Sequence, residues 1–172
     1  MAGDVLNQFR LCSSGARFLD CCKVLLTFDE LTAHHGKVAM VDGAFDPLHA
    51  GHIAYFVEAS NLGVPLLCNV ASDNYVATKH PPLLSEEQRA VVVDAIKYVS
   101  FTHINHHDTE TILERLRPRY YVKGADWRAK LPVRQIEICK SLGIEIVYLD
   151  TVRDSSSRIL QRFSEQIDGT LS

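Results

Sequence analysis

From residue 37 onward, short apolar runs alternate with longer stretches in which apolar residues recur every three or four positions. The runs are KVAMVD (37–42), VPLLCNVA (64–71), YVSFTHI (98–104), RYYVKG (119–124) and IEIVYLD (144–150). They are rich in Val, Ile, Leu or Tyr, and several stop against Gly, Asp or Ser, which marks short strands. Between them, HIAYFVEASNLG (52–63), SEEQRAVVVDAIK (85–97), TETILERLR (109–117) and LPVRQIEICKSLG (131–143) carry helical patterns, and SSSRILQRFSEQI (155–167) closes the series. Asn61-Leu62-Gly63 and Ser141-Leu142-Gly143 read as helix ends with Gly at the C-cap. Ser85 before Glu86 and Glu87 reads as an N-cap followed by acids that the helix dipole favours.

Strand–helix alternation needs right-handed crossovers, and these produce a parallel sheet covered by helices on both faces. The expected fold is therefore α/β: a Rossmann-like, doubly wound, five-stranded parallel sheet of order 3-2-1-4-5, in a single domain over residues 37–172. The first 36 residues are less regular. LCSSGARFLDCCKVLLTFDELTAHH reads as one or two short helices on the sheet edge, giving a helical N-terminal extension over 1–36. That segment is suited to packing or dimer contacts and is expected to stay out of the site.

Composition narrows the class. A chain of 172 residues can bury one proper core. Its 47% apolar and 23% charged content is ordinary for a soluble globular protein. The net charge of −3 and the lack of a Lys/Arg block argue against nucleic acid or a membrane surface as partner. No apolar run approaches a membrane span, and MAGDVLNQFR does not read as a secretory signal. The five cysteines, Cys12, Cys21, Cys22, Cys68 and Cys139, form no C-x-x-C pair, so reduced thiols in a cytoplasm are expected.

The candidate chemistry starts at GAFDPLHAGHIAYF, residues 43–56. It follows the first strand directly, and its helix is expected to begin near Ala50. His49 and His52 then share one face at a helix N-terminus, where unpaired backbone N–H groups and the helix dipole favour anions. Two imidazoles can add hydrogen bonds to phosphate oxygens, and the small Ala50 and Gly51 allow a close approach. A zinc site would need further ligands, and its natural helical spacing is i, i+4. A phosphate cradle is the better reading.

Three more groups converge on it. Lys79, in the loop after the second strand, is a point charge able to close over phosphates, and Arg89 can hold an oxyanion bidentately. Tyr121-Val122-Lys123-Gly124-Ala125-Asp126-Trp127 lies at the carboxyl end of the fourth strand. In order 3-2-1-4-5, strands one and four meet at the topological switch point, where ligands bind. Ser155, Ser156 and Ser157 open the last helix, where hydroxyls can cap the helix and bind phosphate.

GAFDPLHAGH closely resembles the H-x-G-H signature of the cytidylyltransferase-like nucleotidyltransferases. The resemblance runs from Lys23 nearly to the end of the chain. It is nearest to the nucleotidyltransferase part of the ADP-heptose synthases, with glycerol-3-phosphate cytidylyltransferases a close second. It implies that His49, His52 and Lys79 are catalytic, stabilising charge on the attacked phosphorus. It implies nucleotide contacts at Gly43, Ala44, Phe45, Asp46 and Gly51, at Lys123, Gly124, Asp126 and Trp127, and at Ser155, Ser156 and Ser157. Lys79, Arg89 and Arg162 would meet the acceptor's phosphate. Ala125 and Asp154 depart from the family pattern.

The implied reaction transfers a nucleotidyl group from ATP or CTP, with Mg²⁺ on the triphosphate, to a phosphorylated small-molecule acceptor. ATP with a heptose 1-phosphate is favoured over CTP with glycerol 3-phosphate, and a homodimer is expected. A nucleotide-binding sensor without turnover is the reading of another class.

Overall fold

The computed structural model describes residues 24–150 and 156–170. Six strands, β1 (Val24–Leu26), β2 (Ala39–Gly43), β3 (Leu66–Ala71), β4 (Phe101–Asn105), β5 (Tyr120–Gly124) and β6 (Glu145–Leu149), form one sheet of order β1-β4-β3-β2-β5-β6. Every neighbouring pair is parallel. Six α-helices connect or flank them: α1 (Ala50–Ser60), α2 (Asp73–Ala77), α3 (Glu86–Asp94), α4 (Thr109–Leu116), α5 (Val133–Leu142) and α6 (Ser156–Thr170). The five expected strands occur in the expected order.

Two features differ from expectation. Val24–Leu26, expected to be helical, is a sixth strand, pairing from Val24↔Phe101 to Leu26↔His103 on the outer edge of β4. Three apolar residues are too few to show a period, and what decides their conformation is the open row of N–H and C=O groups on β4. Within the described part of this stretch, the helical piece is a 3-10 turn over Glu30–His34. The second feature is α2, capped by Ser72, whose side chain accepts the Tyr75 N–H. It is too short to carry a periodic signal. Residues 1–23, with three of the cysteines, lie outside the described residues; Cys68 and Cys139 are buried free thiols.

Alternation along the strands sends successive side chains to opposite faces. Val41, Cys68 and Val70 pack with Phe56 and Ala59 of α1 and Val93 of α3. Met40, Leu67 and Tyr121 face the other way, onto Ile112, Leu113 and Leu116 of α4 and Ile138 of α5. Both faces are covered, so the middle strands are buried along most of their length. Ser85 forms a capping box with Gln88, and Gly143 ends α5 in the left-handed region at φ 69° as read; α1 differs, its C-cap being Asn61, with Gly63 turning the chain two residues later at φ 77°.

Candidate active site

β2 lies between β3 and β5, and its carboxyl end opens the switch-point crevice. A cavity of about 530 Å³ sits there, within the usual range for a small-molecule site. The loop leaving β2 forms one wall. Phe45, at φ 53°, is buried and folds its ring back over Gly43. A Cβ at position 43 would meet that ring at 3.0 Å, so the small residue and the aromatic are a matched pair. The Phe45 ring also stands edge-on to His52, 5.1 Å between centroids.

His49 is the N-cap of α1 and accepts the Gly51 N–H at Nδ1, 3.1 Å. His52 Nδ1 in turn accepts the His49 N–H at 3.3 Å. This is a capping box built from two imidazoles in place of the usual hydroxyl and carboxylate. A ring nitrogen that accepts an N–H carries no proton, so each ring, when neutral, holds its hydrogen on Nε2. Burial, with the nearby His49 second, lowers the His52 pKa to about 4. At neutral pH His52 is therefore an uncharged donor at a helix N-terminus, and it lines the cavity.

Gly43, Ala44, Phe45 and Asp46 all line the cavity. Asp46 is fully buried; Oδ2 accepts the Leu83 N–H at 2.7 Å, tying the loop after α2 to the loop after β2. Its Oδ1 is buried without a protein partner. Gly51 serves through its N–H and is not part of the lining. Lys79 is exposed at the cavity wall, its ammonium 4.7 Å from the centre of the Tyr75 ring.

Lys123, Gly124, Asp126 and Trp127 also line the cavity. Lys123 is buried, donates to Asp42 Oδ1 at 2.7 Å, and lies 4.1 Å from the centre of the Trp127 ring. Its charge is matched by Asp42, so it brings little net positive charge to the cavity. Trp127 packs against the core beside α5 and also borders the cavity. A polar chain continues from Asp42. The Tyr121 hydroxyl is 3.0 Å from Asp42 Oδ2 and 3.1 Å from Gln135 Oε1, and Gln135 Nε2 donates to Glu110 Oε1 at 3.2 Å. Burial, then the Asp42 charge, pushes the Tyr121 pKa far up, keeping the hydroxyl protonated.

Ser156 opens α6, donates to the Pro47 carbonyl at 2.9 Å and reaches the cavity. Ser155, Asp154 and the side chain of Ser157 lie outside the described residues. Arg162 is exposed on α6 and does not line the cavity.

Arg89 requires a correction. It was expected to hold an acceptor phosphate, but its side chain has no exposed surface and is absent from the cavity lining. Nε donates to the Leu84 carbonyl at 3.1 Å, and one terminal nitrogen to the Ala44 and Ala71 carbonyls at 2.7 and 2.8 Å. The other reaches Asp73 Oδ1 at 2.7 Å. The fork that suits a phosphate also suits converging carbonyls. Arg89 pins the loop after β2 to the end of β3 and the start of α2.

Sequence reading missed Asp42, Asn69 and Gln135 and gave Tyr121 no role of its own, yet all four line the cavity. The available signal was weak: a polar residue near the carboxyl end of an apolar run, as in MVD and LCNVA. Among the described residues, no helix is long and apolar enough to cross a membrane.

A doubly wound parallel sheet with a histidine-capped helix at its switch point defines the nucleotidyltransferase class of Rossmann-like domains. The chain belongs to the cytidylyltransferase-like family, which it matches over residues 40–162. It is 35% identical over 147 residues to the bifunctional protein HldE of Hahella chejuensis, covering 83% of this chain and 30% of that protein. To the bifunctional protein HldE of Alcanivorax borkumensis it is 30% identical over 158 residues, 89% of this chain and 33% of that one. Among solved structures, a lipopolysaccharide core biosynthesis protein from Thermoplasma volcanium superposes with a TM-score of 0.58 at 27% identity. That match covers 66% of this chain and 96% of the other. The chain spans about a third of the length of the curated relatives it matches.

Proposed function

We propose that this domain transfers a nucleotidyl group from a nucleoside triphosphate, ATP in preference to CTP, to a sugar phosphate such as a heptose 1-phosphate. A phosphate oxygen of the acceptor attacks the α-phosphorus. The new P–O bond forms as the bond to the β-phosphate's bridging oxygen breaks, and pyrophosphate leaves with that electron pair. No general base is needed, because the attacking phosphate is already ionised.

The observation that carries this reading is the paired-histidine cap of α1 opening on the switch-point cavity. His52 supplies an Nε2–H at the positive end of the α1 dipole, where negative charge grows on phosphate oxygens. Its neutrality matters: a triphosphate arriving there can raise its pKa and draw further charge stabilisation from it. Lys79, exposed at the wall, can swing over the phosphates. Positioning and charge stabilisation then supply most of the catalysis, as in other phosphoryl-group chemistry.

Mg²⁺ bound to the triphosphate would neutralise phosphate charge. Mg²⁺ on a triphosphate is held mainly by phosphate oxygens and water, with one or two protein oxygens added. Asp46 Oδ1, buried on the cavity lining without a protein partner, is a hard oxygen donor that fits such an ion. The sugar-phosphate acceptor is supported by the HldE relatives and by the lipopolysaccharide core biosynthesis protein among the structural neighbours.

Pyrophosphate release, measured with ATP and CTP against a heptose 1-phosphate and glycerol 3-phosphate, tests the assignment. ATP with the sugar phosphate should turn over fastest. Preference for CTP by about tenfold in affinity, 1.4 kcal/mol, would move the reading to a cytidylyltransferase. No release with any pair would leave a nucleotide-binding protein without turnover.

A further inference from the structure

Asn69 lies near the carboxyl end of β3, only 1% exposed. Neither its amide nitrogen nor its carbonyl oxygen has a partner in the described protein, yet the residue lines the cavity. The strand register explains the placement. Asp42, Asn69 and His103 are cross-strand partners on β2, β3 and β4, so they share one face of the sheet. Asp42 is committed elsewhere, and His103 through one ring nitrogen only, its Nε2 being buried without a partner. Asp42 accepts from Lys123 and faces the Tyr121 hydroxyl, and His103 Nδ1 is bonded to the Leu26 carbonyl at 2.9 Å. A buried amide left without partners destabilises a fold, and native proteins rarely keep one. An aliphatic residue would continue the apolar run LLCNVA at no such cost. The His103 Nε2 could at most accept from the amide nitrogen; the Asn69 carbonyl oxygen would still lack a donor, and the cavity is where a ligand can supply one.

We propose that Asn69 is a specificity residue of the acceptor subsite, bonding a hydroxyl of a polyol or sugar phosphate through its amide nitrogen and carbonyl oxygen. The proposal rests on the nucleotidyl-transfer reading above. The ligand class follows from complementarity. An amide offers a donor and an acceptor side by side, and a hydroxyl offers both in return, whereas an ionised phosphate only accepts. The nearby carboxylate of Asp42 accepts from hydroxyls and repels a further anion. The place in the cavity agrees. Asn69 is on the β3 side of β2, the side of Lys79, whose ammonium suits the acceptor's own phosphate. The N-terminus of α6 and Trp127 lie toward β5, leaving that end for the nucleotide.

Asn69→Leu keeps the side-chain size and removes both polar atoms. Calorimetric titration would use a heptose 1-phosphate and glycerol 3-phosphate, inorganic phosphate as the control without a polyol, and a non-hydrolysable triphosphate. Affinity for the polyol phosphates should fall at least about tenfold, with inorganic phosphate and triphosphate affinities held within about twofold. The melting temperature should hold or rise, because an unsatisfied buried amide is gone. Asn69→Ser, which keeps one hydroxyl, should fall between the two proteins and serves if the Leu variant does not fold.

Unchanged polyol-phosphate affinity in a folded variant overturns the proposal. A loss confined to the triphosphate would assign Asn69 to the nucleotide, and a loss of every ligand with a lowered melting temperature would make it structural; either overturns the proposal. Wild-type protein that binds no triphosphate would overturn the nucleotidyl-transfer reading and this proposal with it.

Discussion

Replacing Arg89 with Met should unfold this domain more readily, not merely weaken a phosphate contact. The guanidinium makes four short hydrogen bonds, three to backbone carbonyls and one to Asp73. Met fills much of the volume but leaves the carbonyls of Ala44, Ala71 and Leu84 without this donor. Breaking a buried, hydrogen-bonded charge typically costs about 3–5 kcal/mol. The Asp73 side chain is 38% exposed and can return to water, so the low end applies, about 3–4 kcal/mol. That is a large part of a domain's usual stability of about 5–15 kcal/mol. At about 2–4 °C per kcal/mol for a chain of this size, the melting temperature should fall by roughly 6–16 °C. Arg89→Lys keeps the charge but not the fork, so its loss should be smaller but clear. Circular dichroism melts measure the stability, and titration with inorganic phosphate measures anion binding on the folded variant. A melting temperature within about 2 °C of wild type, together with lost phosphate affinity, would refute the argument and restore Arg89 as a ligand.

His49→Ala and His52→Ala should each lower turnover by roughly 10²–10³ with folding retained, read by pyrophosphate release; full activity in the double variant would end the assignment. His52 also sets a pH dependence of stability. Its folded pKa of about 4 lies below its ordinary 6.5, so the unfolded chain takes up a proton first. The contribution is complete above about pH 6.5 and is lost as pH falls toward about 4, up to roughly 3 kcal/mol. Urea unfolding at pH 7.5 and pH 4.5 should show a smaller drop for His52→Asn than for wild type, and equal drops would refute this. Lys79→Ala should reduce turnover while leaving the melting temperature within about 1 °C, because the side chain is exposed; a large stability loss would contradict its placement. Gly43→Ala forces the new Cβ against the Phe45 ring, so triphosphate affinity should drop more than stability does, and equal affinity would show that the ring moves freely.

The strand–helix alternation, the order of the five expected strands and the place of the histidine-capped helix after the first of them were all legible in the chain. Each rests on a local signal: apolar runs, Ser85 and Gly143 at helix ends, and GAFDPLHAGH directly after a strand. The parallel sheet then brings His52 and Lys123 to one crevice, because crossovers have a single hand; His49 stays behind as the cap of α1 and does not line it. What the sequence left open depends on partners distant in the chain. Val24–Leu26 is a strand only because β4 has an unpaired edge. Arg89 reads as a phosphate ligand until the carbonyls of Ala44, Ala71 and Leu84 converge around it. Lys123 reads as a free charge until Asp42, 2.7 Å away, compensates it. Asn69 reads as one polar residue in an apolar strand until the cavity opens beside it. Propensity and period act over a few residues, whereas burial and hydrogen-bond partners are set by which strands lie side by side, and that is a property of the folded chain.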